Sequence, residues 1–129
     1  MITTAIKQIL LASSAVTALV DDRIEANVLK NDEIYPAIYV SADAMAKPAC
    51  RTDIGVRIGT IEIGVYASSY AVVKQVVAAI TDALDDYDGN VSSVGINIGR
   101  GKDTGDKFDV QVKMHVKILE YEATAQIQI

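Results

Sequence analysis

The chain has 129 residues, with 17 acids against 12 bases, a net charge of −5, six tyrosines, one phenylalanine, no tryptophan and one cysteine. That length indicates one domain, residues 1–129, able to bury about two-thirds of its unfolded surface. Its acidic balance, spread along the chain, argues against a protein built to read nucleic-acid phosphate, which needs a concentrated basic face.

The predicted elements run as follows. Ile2, Ile6, Ile9, Leu10, Val16, Leu19 and Val20 recur at three- and four-residue steps, the pattern of a helix burying one face. A break near Ser13–Ser14 fits a serine cap opening a second short helix over Ala15 to Val20. The same stretch is a poor signal sequence, since Thr3, Thr4 and Gln8 interrupt a short apolar core. No apolar run approaches the ~18 residues of a membrane span. After Asp21 and Asp22 the chain reads as irregular through EANVLKNDEIYP, with Pro36 pushing Tyr35 into an extended conformation. Ala37 to Ala42 is a short β-type run, followed by the loop DAMAKPACRTD. Ile54, Val56 and Ile58 then alternate in one phase and Ile61, Ile63 and Val65 in the other. The slip at Gly59–Thr60 fits a β-bulge or two short strands.

In GVYASSYAVVKQVVAAI the period changes from strand to helix at Ser68–Ser69, where a serine serves as N-cap. The helix carries Tyr70, Val73, Val76, Val77, Ile80, Ala83, Leu84 and Tyr87 as its apolar stripe, and Gly89 closes it in a left-handed cap. Val91 to Ile98 reads as a strand with Val94, Ile96 and Ile98 on one face, and GRGKDTGDK as a flexible hairpin loop. Phe108, Val110, Val112, Met114, Val116 and Ile118 alternate with Asp109, Gln111, Lys113, His115 and Lys117, which predicts one long strand covered on its apolar side. Past Tyr121, EATAQIQI is either a frayed tail or a final edge strand. The order gives an α+β fold: an antiparallel-rich sheet of about four strands with an N-terminal and a central helix packed on one face.

The search for chemistry finds little. His115 lies between Lys113 and Lys117, which disfavour metal binding and general-base work, so it reads as a solvated surface residue. GINIGRGKDTG fails as a phosphate loop because Asp103 stands where Ser or Thr is needed and Ile96 where glycine is. DDYDGN spaces Asp86, Asp88 and Gly89 like a calcium loop, but Leu84 and Gly95 occupy positions that require acids. Cys50 has no nearby histidine and no internal disulfide partner, which fits a reducing compartment or a particle assembled in one. Asn90-Val91-Ser92 matches a glycosylation acceptor that carries little weight without a secretory signal. The expectation is a non-enzyme with no cofactor and no metal.

In order and spacing, AIKQILLASSAVTALVDDRI, YPAIYVS, IEIGVYASSYAVVKQVVAAITDALDDYDG and FDVQVKMHVKI resemble the tail terminator, or tail completion, proteins of long-tailed bacteriophages and prophages. The resemblance covers most of the chain and is one of pattern. It implies a structural protein forming a homo-oligomeric, usually hexameric, ring that caps the tail tube and joins tail to head. The implied partners are the tail tube protein and a head-neck connector protein, with no sequence-specific nucleic acid and no membrane. The implied location is the host cytoplasm during assembly and then the virion tail. A closed ring needs two different patches per subunit. The candidates are Met45, Pro48, Cys50, Arg51 and Arg57 on one side and Arg100, Lys102 and Lys107 on another. The alternatives are another head-tail neck or minor tail component and a ferredoxin-like ligand-binding domain.

Overall fold

The computed structural model describes residues 2–26, 36–42, 56–91, 94–110 and 113–127. Helices α1 (Ile2–Ala12) and α2 (Ser14–Val20) part where the serines fall. The Oγ of Ser13 accepts a hydrogen bond from the Val16 amide at 3.4 Å and so caps α2. A 92° bend between the helices lets both bury a stripe, Ile6 and Leu10 from the first, Val16 and Val20 from the second. Buried Thr3 accepts a hydrogen bond from the Ala42 amide at 3.2 Å, tying α1 to the sheet. Among the described residues no single helix is long and apolar enough to cross a membrane.

Seven strands and a third helix follow: β1 (Ile24–Ala26), β2 (Ala37–Ser41), β3 (Val56–Ala67), α3 (Tyr70–Leu84), β4 (Asp88–Val91), β5 (Val94–Ile98), β6 (Lys102–Asp109) and β7 (Met114–Ile127). The described strands form one sheet in the order β1-β2-β3-β7-β5-β4, with β6 also paired to β7. Only β1 and β2 run parallel. The α+β class and the antiparallel character hold, and the count of about four strands is corrected upward, to seven among the described residues. One sheet face, carrying Ile38, Val40, Ile61, Ile63, Val65, Val94, Ile96, Ile98, Leu119 and Tyr121, joins the helices in a common aliphatic core. Each fully buried Ile, Leu or Val there contributes about 1.5–3 kcal/mol of transfer free energy.

Several local expectations change. Strand β3 pairs with β7 without interruption from Val56 opposite Gln126 to Ala67 opposite His115, so there is no bulge. The phase slip instead turns Ile58 to the outer sheet face, where it is 45% exposed. Ser69 occupies the N-cap of α3, but its side chain makes no capping bond; its carbonyl accepts from the Val73 amide at 3.1 Å. The helix ends at Leu84 rather than at Gly89, which lies in β4. Asp86, at φ 57°, takes the left-handed turn. The expected strand from Val91 to Ile98 is divided between β4 and β5, which pair as a hairpin.

The glycine-rich segment expected as a loop is largely strand. Thr104 donates its hydroxyl to the Ile118 carbonyl at 2.8 Å, and the Asp103 carboxylate accepts both the Gly105 amide at 2.8 Å and Lys117 Nζ at 2.7 Å. Together these contacts hold a register shift between Asp103 and Asp106, with Gly105 at φ 104°, a backbone that glycine adopts without strain. The expected long strand from Phe108 to Ile118 is in fact two antiparallel strands joined through Val110 and Lys113. In the β7 part the faces are exchanged, since Lys117 is buried beside Leu119 on the helix side while Val116, itself buried, and Ile118 lie on the outer face. The segment past Tyr121 is neither tail nor edge: it runs between β3 and β5.

Candidate functional site

With helices covering one face, the other sheet face and the element ends carry the chain's surface chemistry. At one end of the outer face, Tyr39 lies across Gly64, and its hydroxyl donates to Glu62 Oε2 at 3.1 Å. Burial first, then the Glu62 charge, hold that hydroxyl above the ordinary tyrosine range. Tyr66 is tilted against Tyr39 with ring centroids 6.3 Å apart, and Val116 and Ile118 occupy neighbouring outer positions. The result is a small aromatic-aliphatic patch.

Toward the other end the outer face is polar. A shallow depression of about 460 Å³ is lined by Ile58, Thr60, Asn97, Glu122 and Thr124. A second of about 230 Å³ adjoins it, where Arg100 and Lys102 meet Glu120 and Glu122. Among the described residues no group of three His, Cys, Asp or Glu side chains converges on a common point.

The predicted contact residues are distributed unevenly. Met45, Pro48, Cys50 and Arg51 lie outside the described residues. Arg57 stands opposite Ala125, on the helix-facing side of the sheet and away from the other cations. Arg100 pairs with Asp86 at 3.3 Å, both side chains well exposed. Lys102 and Lys107, five residues apart, would sit on opposite faces of a regular strand. The register shift brings both to the outer face, opposite Glu120 and Val116.

The sequence reading missed the hairpin end. Phe108 is 51% exposed and Val110 76% exposed, the two most exposed large apolar side chains among the described residues. Phe108 meets His115 edge-on at 5.1 Å, His115 lies 6.2 Å from Tyr70, and Lys74 sits over the Tyr70 ring at 5.2 Å. His115 is thus half-buried among rings, not simply solvated.

A family described as tail completion protein gp17 matches residues 4–125. The chain belongs to this tail completion family. As a tail completion protein it is a structural component of a phage tail. Its fold is shared with a solved chain of the virion of a native gene transfer agent particle, at a TM-score of 0.70 and 20% identity, covering 96% of this chain and 93% of that one. A second solved structure aligns at a TM-score of 0.67 and 13% identity over 99% of this chain and 95% of its own. No curated protein matches the sequence.

Proposed function

We propose that this protein acts as the tail terminator: a non-enzymatic subunit whose copies close into a ring, taken here as a hexamer, on the head-proximal end of the tail tube. The ring stops tube growth and presents a surface to the head-neck connector, assembling in the host cytoplasm and remaining in the virion tail. Membership of the tail completion family across residues 4–125 carries this reading. The mixed-charge outer face around Lys102, Glu120 and Glu122 supports it as a protein-docking surface.

The test is to incubate the purified protein with its tail tube protein and view the product by negative-stain microscopy. Tubes ending in an added ring support the proposal and report the subunit number. No binding and unchanged tube length refute it. Because Lys102 and Lys107 are exposed on one face, Lys102→Glu with Lys107→Glu leaves folding intact and impairs tail joining. Normal virion assembly by that variant removes these lysines from the docking surface.

A further inference from the structure

We infer that the tip of the β6–β7 hairpin of one copy inserts into an apolar groove at the far end of the next copy, making the subunit contact head-to-tail. The inference rests on the ring reading above. The tip presents Phe108 and Val110 to solvent, backed by His115 and Tyr70. Such exposed apolar side chains, anchored on aromatic neighbours, are the kind that dominate an interface once covered.

The groove lies between the ends of α1 and α3 and strand β4, lined by Ile9, Ala12, Ala83, Tyr87 and Val91 together with the polar Gln8 and Ser13, with a volume of about 280 Å³. A cavity of about 150 Å³ accepts a benzene ring, so the groove has room for the phenyl group of Phe108 with the Val110 side chain beside it.

Charge and distance decide which copy supplies the tip. Lys74, Lys107 and Lys113 are exposed around the hairpin end, and by sequence they outnumber the acids Asp106 and Asp109 of the same stretch. At the groove end Asp82, Asp86 and Asp88 are exposed, and Arg100 pairs with one of them. The two ends are therefore complementary in sign, which favours pairing tip to groove over tip to tip. Tyr70, behind the tip, opens α3, and Ala83, in the groove, lies in its last turn. At 1.5 Å per residue a helix of 15 residues spans roughly 22 Å, so a hairpin cannot reach its own groove. Two different patches at opposite ends of one rigid element make a heterologous contact, the kind that closes into a ring when the rotation permits.

The test uses Val110→Asp at the tip and Ala12→Arg at the exposed groove margin, each with a thermal melt to confirm folding; Phe108→Ser replaces the tip variant if it melts early. Full-length variants are incubated with tail tube protein and scored for rings by microscopy and for subunit contacts by native mass spectrometry. Each variant alone is expected to lose ring closure about tenfold or more, on the scale of removing one interface anchor. The two mixed are expected to give pairs, because one intact tip meets one intact groove, but no closed rings. Wild-type rings with unaffected rings from both folded variants overturn the head-to-tail contact and leave the ring reading standing. Absence of wild-type rings under the same conditions overturns both.

Discussion

Gly64 has no room for a side chain, and that makes Gly64→Ala an informative perturbation. A Cβ added there would fall 1.9 Å from Tyr39 Cε1 and 2.4 Å from its Cζ, so the ring must swing away. Moving it breaks the bond from the Tyr39 hydroxyl to Glu62 and the tilted contact with Tyr66. A hydrogen bond to a charged group is worth about 1.5–3 kcal/mol, with the lower end applying to a partly exposed pair. The aromatic contact adds about 0.5–1.5 kcal/mol, and alanine recovers about 0.5–1 kcal/mol of strand preference over glycine. The balance is a loss of about 1–3 kcal/mol. For a chain of this length that lowers Tm by about 4–11 °C. Differential scanning calorimetry on the dilute subunit measures it, with Tyr39→Ala and the double variant completing a cycle. In the Tyr39→Ala background, Gly64→Ala is expected to cost nothing. A single Gly64→Ala variant that melts at or above wild type refutes the argument that the ring is trapped over β3.

Three further expectations follow from the same geometry. Lys117 is nearly buried and lies 2.7 Å from the half-exposed Asp103. Asp103→Asn therefore costs about 1–3 kcal/mol in urea unfolding, less than a fully buried pair would, whereas Lys117→Met stays within about 1 kcal/mol of wild type; the reverse order contradicts the reading. The Tyr121 hydroxyl is buried with no partner in hydrogen-bonding geometry, although Thr81 and Asp85 lie near it, Thr81 donating to the Val77 carbonyl at 2.9 Å and Asp85 accepting from the Gly101 amide at 3.0 Å. Tyr121→Phe is then neutral or stabilising by up to about 1 kcal/mol in the same assay, and a clear loss shows a partner. Burial chiefly pushes the Tyr121 hydroxyl up to about 12 from an ordinary 10.0, and Tyr39 is raised as well. Both tyrosines stay protonated in the folded chain after the unfolded chain begins to ionise, so stability is full below pH 10 and falls as pH rises from there toward 12. Tyr39→Phe with Tyr121→Phe flattens that fall; an unchanged alkaline slope in melts across this range counts against it.

The helices were legible because their apolar residues repeat at helical steps and serines precede α2 and α3. The inner faces of β3 and β5 were legible from Ile61, Ile63 and Val65 and from Val94, Ile96 and Ile98. The hairpin was not. Apolar alternation continues from Phe108 through Val116 with no glycine or proline to mark the turn, and Lys113 takes φ 57° without a residue type that announces it. Strand β6 was hidden because Gly101 and Gly105 read as breakers, while the bonds that hold it come from Asp103 and Thr104 to residues far along the chain. The end of β7 was missed because Ala123 and Ala125 on its inner face are too small to stand out against Glu122, Thr124 and Gln126. Of the contact surface, the lysines were visible as charge. The exposed tip was not, since an apolar side chain looks the same in sequence whether it is covered or bare.

The irregularity at Gly105 works as a parity switch within β6. Before it, odd-numbered Asp103 shares the helix side with Leu119; after it, even-numbered Asp106 shares that side with Lys117. Deleting one residue there would remove the bulge and restore regular alternation, leaving Lys107 on the outer face and Phe108 on the helix side as they are now. The hairpin can therefore lose the one extra residue at its bulge without changing its surface, whereas a single-residue deletion beyond the bulge would exchange the two faces for the positions that follow it.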